Sequence, residues 1–271
     1  VARIWKYGRC FTTEDPVEVE LACYKATGAA VEWQRDNPGE KLPPEMQAQI
    51  NGLLPAEEHL LLCATLALPE KIFRPSPWTR RRFHAFVRHL WHTELGAGGC
   101  GKSTDIGAAL YFDFCAHRDN TTVKVYSTTK DSLRKRIWKD IVKFHQAYPS
   151  DLCYTPSTFQ ITYGKGDTIN GIFGLGVLRD NGDVAISNLI GVHNTRNICV
   201  ADELQGTPEE VIAQTANQRI GGMFQFIGLG NPYDFTDTLC KNSVPWDGGW
   251  EKLPADAEEW VTRVGVSKKG Y

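Results

Sequence analysis

Residues 96–103 have the pattern G-x-x-x-x-G-K-S, whose residue types and spacing match a phosphate-binding loop. The glycines let successive backbone N–H groups converge on a phosphate chain, because no Cβ stands in the way. Lys102 would place a positive charge against the β- and γ-phosphates, and the Ser103 hydroxyl would bind Mg²⁺. A helix that begins here would direct its positive end at the anion.

The predicted nucleotide-binding residues are Gly96, Ala97, Gly98, Gly99, Cys100, Gly101, Lys102, Ser103 and Thr104. A glycine-rich turn that matches the pattern by accident is the alternative interpretation. The nucleotide interpretation requires a strand before the loop and a helix after it.

Two carboxylates follow an apolar run farther along the chain. Residues 198–201 have the composition of a strand that is buried on both faces, and Asp202 and Glu203 come directly after it. Asp202 would hold the Mg²⁺ shell, and Glu203 would polarise an attacking water as a general base. The pair favours hydrolysis, because a small-molecule kinase needs no base aimed at water. The alternative is an ordinary acidic loop.

A third polar feature lies at residues 228–232, which read Gly-Leu-Gly-Asn-Pro after another apolar strand pattern. Ligands of open α/β sheets bind at the carboxyl ends of the strands, so Asn231 is expected near the loop and the acids. There it would hydrogen-bond the γ-phosphate or the attacking water. The alternative is a turn that ends a strand, since Gly, Asn and Pro are turn residues.

The elements that must position these residues alternate between strand and helix patterns. In chain order they are a strand at 89–95, a helix through 106–114, a strand at 123–127, a helix at 131–144, short β-rich runs at 159–163, 172–178 and 184–189, a strand at 198–201, a helix from Thr207 and a strand at 224–229. This succession predicts an α/β fold in which helices flank a mostly parallel central sheet. The short β-rich runs predict hairpins, and residues 1–70 are predicted to be helical.

The composition is that of a globular protein with a full hydrophobic core, with 42% apolar and 23% charged residues. The formal net charge is −2, so any contact with nucleic acid has to come from a local patch. The eight cysteines form no C-x-x-C pair, which disfavours a zinc site and predicts reduced, buried thiols. No apolar stretch reaches the roughly 20 residues that span a membrane, and no signal peptide is evident.

Two basic segments have alternative interpretations. Residues 71–90 interleave arginines with aromatic residues and could hold an adenine ring or a nucleic-acid backbone. Arg134, Lys135 and Arg136 form a second basic run. For each segment, the favoured interpretation is the solvated face of an amphipathic helix.

The three motifs, in this order and spacing, resemble the ATPase domain of the large terminase subunit of tailed bacteriophages, the motor that packages viral DNA. The sequence Gly-x-Gly-Asn-Pro after an apolar strand is the most family-like element. The resemblance implies a P-loop NTPase fold of the RecA-like, additional-strand (ASCE) class with a helical N-terminal segment. It implies that Lys102, Ser103 and Thr104 bind the phosphates and Mg²⁺, that Asp202 serves the metal, that Glu203 is the catalytic carboxylate and that Asn231 couples the γ-phosphate to domain motion.

The same resemblance implies the cofactors and partners. They are ATP and Mg²⁺, double-stranded DNA, further copies of the chain in a pentameric ring on a portal, and the small terminase subunit. A host-cytoplasmic location and no membrane partner are implied as well.

Members of this family are expected to receive an arginine from a neighbouring subunit. The phosphate loop here contains no arginine, which makes an arginine acting in trans more plausible. The candidates are Arg134, Arg136, Arg179, Arg196 and Arg219. Arg196 is the first choice because it is near Asp202 in the sequence, and a surface arginine before a strand is the alternative.

We expect a helical segment at 1–70, an ATPase core at 71–240 and an extension at 241–271 that leads toward an absent nuclease domain. Three other classes share part of the pattern. A helicase-like or other nucleic-acid-remodelling ATPase would share Lys102 and the acids but needs a second RecA-like domain. A GTPase would carry an N-K-x-D motif, which is not found, and a binding module would carry a vestigial loop.

Overall fold

The structure is a computed structural model that describes residues 3–148, 150–177, 194–216 and 222–264. It divides into two compact units. The first is drawn from Val1–Arg88, Thr104–Arg118 and Asp140–Ser150, and the second from His89–Ser103, Asp119–Lys139 and Asp151–Tyr271. Neither unit is one contiguous segment, so the boundaries expected at residues 70 and 240 stay predictions.

The first unit is mostly helical. Its early elements are β1 (Ile4–Lys6), β2 (Arg9–Phe11), α1 (Pro16–Asp36), α2 (Pro44–Ile50), α3 (Ala56–Ala67) and α4 (Thr79–Arg88). α1 begins where the Asp15 side chain accepts a hydrogen bond from the Val17 N–H, 2.8 Å away, with a proline in the first turn. β1 and β2 pair as an antiparallel hairpin. The helical prediction for residues 1–70 therefore missed a hairpin, whose short strands show no clear alternation.

A buried polar cluster lies inside the first unit. Glu20 and His59 are fully buried, and His59 Nδ1 lies 2.6 Å from the Glu20 carboxylate. Lys6 Nζ donates to the same carboxylate at 2.5 Å, as does the Tyr7 hydroxyl at 3.1 Å. These contacts satisfy a charge that would otherwise be costly to bury.

Three arginines of α4 form ion pairs within the first unit. Arg82 contacts Asp105 at 2.7 Å, and Arg88 contacts Glu57 at 3.2 Å. Arg80 contacts Glu58 at 2.6 Å. These pairs support the interpretation of residues 71–90 as an amphipathic helix rather than a nucleic-acid contact.

Within the residues that the structure describes, the second unit contains a seven-stranded sheet. The strands of this sheet are β3 (Trp91–Leu95), β4 (Thr121–Ser127), β5 (Cys153–Thr155), β6 (Gln160–Thr162), β7 (Gly171–Gly176), β8 (Arg196–Asp202) and β9 (Met223–Gly230). The order across the sheet is β3-β9-β8-β4-β7-β6-β5. The pairs from β3 to β7 are parallel, and β5, β6 and β7 form antiparallel hairpins.

This architecture confirms the predicted mixed α/β fold with a mostly parallel central sheet. β9 lies between β3, which precedes the glycine-rich loop, and β8, which carries the two acids. The predicted strand at 184–189 lies outside the described residues.

The central strands are buried, as their sequences predict. Every residue of β4 and of β8 is buried, which is typical of parallel strands covered on both faces. On one face, Trp91 stacks on Phe226 with ring centroids 4.2 Å apart, within a larger apolar cluster. The burial of this cluster stabilises the packing on this face of the sheet.

The remaining helices are α5 (Lys102–Ala116), α6 (Lys130–Lys135), α7 (Ile137–Ala147), α8 (Glu209–Ala216) and α9 (Thr238–Asn242). The helix predicted over 131–144 is thus two helices, separated at Arg136. The helix predicted from Thr207 begins at Glu209, and the Thr207 hydroxyl donates to the Glu203 carbonyl at 3.3 Å. No helix within the four described ranges is long and apolar enough to cross a membrane.

Candidate nucleotide site

The glycine-rich loop connects β3 to α5 in the way that the motif requires. The Gly96 N–H donates to the Gly230 carbonyl at 3.2 Å, which continues the ladder between β3 and β9 into the loop. Gly99 and Gly101 have φ angles of 77° and 84°, a region that residues with a Cβ rarely adopt. α5 begins at Lys102, so the loop leads directly into a helix N-terminus.

Lys102 folds back onto the loop. Its Nζ donates to the Gly96 carbonyl at 2.5 Å, to the Ala97 carbonyl at 3.0 Å and to Asn231 Oδ1 at 3.1 Å. The side chain is buried. Lys102 therefore links two of the predicted motifs, the loop and the Gly-x-Gly-Asn-Pro segment. Phosphate oxygens are stronger acceptors for an ammonium group than these neutral carbonyls.

Asp202 faces the start of α5. The Ser103 hydroxyl donates to Asp202 Oδ1 at 3.1 Å, and Asp202 is only 3% exposed. Burial raises the pKa of the Asp202 carboxyl, and the Ser103 hydrogen bond opposes this rise. Its other oxygen, Oδ2, is buried and has no hydrogen-bond partner among the described residues.

These groups fit a magnesium ion. Mg²⁺ prefers oxygen ligands and is usually bound by one or two protein groups, with water and phosphate completing its shell. The orphaned Asp202 Oδ2 and the adjacent Ser103 hydroxyl supply such oxygens, and a cation there would offset the burial of the carboxylate.

Ser127 is a further polar group at this edge, and it escaped the sequence analysis. It ends β4, one position beyond the pair of Tyr126 with Ala201, which places it beside Asp202. Its hydroxyl is fully buried and has no partner within the described ranges. A hydroxyl residue at the end of an apolar strand was the available signal, but nothing in the sequence identified the neighbouring strand.

Glu203 follows Asp202 with a left-handed backbone, at φ 66° and ψ 48°. Its carboxylate forms an ion pair with Arg136, with 2.7 Å between Oε1 and Nη2. Such a backbone conformation is uncommon for a residue other than glycine, asparagine or aspartate. It is found where surrounding structure imposes it, often at functional sites.

The glycines before Asn231 have a packing role. A Cβ at Gly228 would collide with Leu204, and a Cβ at Gly230 would collide with the amide oxygen of Gln205. Neither glycine is among the described residues with a positive φ. The 3₁₀ turn Leu204–Gly206 packs closely against these two glycines. This close packing explains the glycines better than a turn at the end of the strand, which was the alternative interpretation.

The structure does not bring Arg196 to this edge. Arg196 begins β8 and Asp202 ends it, so the two lie about 20 Å apart at the ordinary rise of a strand. The arginine is only 6% exposed. Nearness in sequence does not bring Arg196 to the acids of its own chain, because an extended strand separates its two ends. A role of Arg196 in a neighbouring copy stays a prediction. Thr104 also points elsewhere, since its hydroxyl donates to Asp140 at 2.7 Å in the first unit.

No protein-family model matches this sequence, and no curated protein matches it. Solved structures do match. The structure is similar to those of bacteriophage large terminases. The ATPase domain of the Thermus phage P74-26 large terminase has a TM-score of 0.48 and 14% identity, over 71% of this chain and 80% of that one. The HK97 bacteriophage large terminase has a TM-score of 0.46 and 14% identity, over 62% of this chain and 35% of that one.

A large terminase from a thermophilic bacteriophage, in complex with ADP, is a third similar structure. Its TM-score is 0.42 at 15% identity, over 53% of this chain and 34% of that one. The match with these longer terminase chains thus covers about a third of their length.

Proposed function

We propose that this chain binds ATP with Mg²⁺ and hydrolyses it as the motor domain of a large terminase, which moves double-stranded DNA into a viral procapsid. The observation that carries the ATPase part is the 3.1 Å contact between Ser103 and Asp202. It joins the phosphate loop to the acidic end of β8 within one compact unit.

The loop binds the triphosphate through its backbone N–H groups and Lys102. Lys102 leaves the Gly96 and Ala97 carbonyls and pairs with the β- and γ-phosphates, which are charged acceptors. Ser103 and Asp202 hold the magnesium ion, which neutralises phosphate charge when it is bound.

Glu203 orients and polarises the attacking water as the general base. Asn231 already accepts a hydrogen bond from Lys102 at 3.1 Å. A change in the position of Lys102 on phosphate binding therefore reaches Asn231 directly. This contact supports the role of Asn231 as the residue that reports the γ-phosphate to the rest of the chain.

The DNA-translocating part of the proposal is supported by the order and spacing of the three motifs. This part of the proposal includes the implied partners, which are double-stranded DNA, a ring of copies on a portal, and the small terminase subunit in the host cytoplasm. An arginine supplied by a neighbouring copy typically accelerates phosphoryl transfer by about 10³–10⁵, so a single chain is expected to turn over slowly.

Two substitutions test the ATPase site. Lys102→Ala removes the charge that binds the phosphates, so we expect binding of a fluorescent ATP analogue to be lost. Glu203→Gln keeps the shape of the side chain but removes the base, so we expect binding to persist while single-turnover hydrolysis of radiolabelled ATP falls at least about 10²-fold.

Exposed residues of the second unit provide the matched controls. Lys165→Ala and Glu210→Gln change the same residue types away from the loop and the acids, and both should behave as the wild type. Full hydrolysis by Lys102→Ala, or wild-type turnover by Glu203→Gln, would refute the site.

A further inference from the structure

The break between α6 and α7 lies beside the acid pair. The hydrophobic pattern predicts one continuous helix over 131–144, yet Arg136 has φ −117° and ψ −119° and ends the first helix. The break turns the Arg136 side chain toward β8, where Nη2 lies 2.7 Å from Glu203 Oε1.

The ion pair occupies the carboxylate that the reaction needs. Glu203 is 13% exposed at its side chain, whereas Arg136 is 50% exposed. A general base must accept a proton from water, and a carboxylate that does so loses its attraction for the guanidinium. While the ion pair persists, it stabilises the Glu203 carboxylate that exists before proton transfer. It does not stabilise the protonated Glu203 that exists afterwards.

We propose that Arg136 is a positioning residue that restrains Glu203 in the nucleotide-free chain and so slows hydrolysis until the pair opens. This inference rests on the proposed ATPase function. The half-exposed guanidinium has room to move into solvent, whereas the left-handed backbone of Glu203 keeps its carboxylate at the edge of the sheet. Release therefore requires movement of Arg136 rather than of Glu203.

The size of the effect follows from the exposure of the pair. Ion pairs that are open to solvent contribute about 0.2–1 kcal/mol, which corresponds to a rate change of up to about fivefold when the pair must open before the reaction. The restraint is thus a modest brake on basal turnover.

The test compares steady-state ATP hydrolysis by the wild type, Arg136→Gln and Arg136→Lys. We expect Arg136→Gln to raise kcat about two- to fivefold with an unchanged KM, because the brake acts after binding. Arg136→Lys keeps a positive charge near Glu203, so its increase should be smaller. Arg136→Gln combined with Glu203→Gln should be as inactive as Glu203→Gln alone.

Lys241→Gln is the matched control. Lys241 lies on α9, is half exposed and forms an ion pair with Glu209, so its loss should leave kcat at the wild-type value. Equal thermal unfolding of both glutamine variants would show that the fold is intact.

A fall in kcat for Arg136→Gln would overturn the inference and would identify Arg136 as a group that assists the reaction. An unchanged kcat would overturn it too. Failure of the proposed function has a different signature. In that case the wild type would not hydrolyse ATP, or hydrolysis would persist in Glu203→Gln.

Discussion

At the scale of single residues, the candidate site consists of short contacts between side chains that are far apart in sequence. Lys102 reaches Asn231, Ser103 reaches Asp202, and Glu203 reaches Arg136. Each contact joins a different pair of chain segments. A substitution at one of these positions is therefore expected to disturb the distant segment that the side chain contacts.

Gly230 offers a test of this expectation. A Cβ there would collide with the Gln205 amide, so Gly230→Ala has to displace either Gln205 or the end of β9 next to Asn231. We expect a loss of stability of about 1–3 kcal/mol, measured by urea unfolding, and weaker binding of a fluorescent ATP analogue. Gly164→Ala is the control, because a Cβ at Gly164 meets no atom within 4 Å. Wild-type stability in Gly230→Ala would contradict the packing argument.

At the scale of elements, β3 combines a role in the site with an unusual histidine. His92 is the second residue of this strand, and burial is the main cause that lowers its pKa to about 3. Neither ring nitrogen has a hydrogen-bond partner among the described residues, and Glu94 Oε1 is 4.0 Å from Nε2. His92 is therefore neutral in the folded chain at every pH at which the protein is expected to work.

The low pKa of His92 predicts a loss of stability in mild acid. The unfolded chain takes up this proton near pH 6.5 and the folded chain only near pH 3, so stability is full above pH 6.5 and decreases below it. By pH 5 the loss from this one group is about 2 kcal/mol. Urea unfolding at pH 7 and pH 5 measures it, and His92→Phe should remove that part of the difference.

His84→Phe is the matched control, since His84 is exposed on α4 and its replacement should preserve the wild-type pH dependence. If His92→Phe loses as much stability between pH 7 and pH 5 as the wild type does, groups other than His92 cause that loss.

At the scale of the whole molecule, charge constrains how DNA can be held. The net charge is −2, and Arg80, Arg82 and Arg88 of α4 are paired with acids. Among the basic residues of the second segment, Arg134 and Arg136 are paired too. We therefore expect the proposed contact with DNA to use a small local patch.

We expect duplex DNA to stimulate ATP turnover at about 50 mM salt and to lose this effect by about 200 mM, because phosphate contacts weaken steeply with salt. The measurement is steady-state hydrolysis by the wild type over a salt series, with Glu203→Gln as the inactive control. Stimulation that is independent of salt would contradict electrostatic binding. Separation of the two DNA strands would instead favour the helicase-like alternative.

Much of this molecule could be predicted from local sequence. The loop at residues 96–103 needs only its own glycines, lysine and serine to define phosphate chemistry. The apolar run before Asp202 predicts a buried strand, and strand and helix patterns in alternation predict a mostly parallel sheet. The inferences about the strand and the sheet are confirmed because each depends on residues that are neighbours in the chain, whereas the phosphate chemistry of the loop stays a prediction.

Only the tertiary structure decided which strand ends meet and which side chains share them. It placed β9 between β3 and β8, put Arg196 at the far end of β8 from Asp202, and broke a predicted helix so that Arg136 contacts Glu203. The physical reason is that periodicity records which face of an element is apolar. Strand order and a helix break are set by packing between distant segments, which a local pattern does not contain.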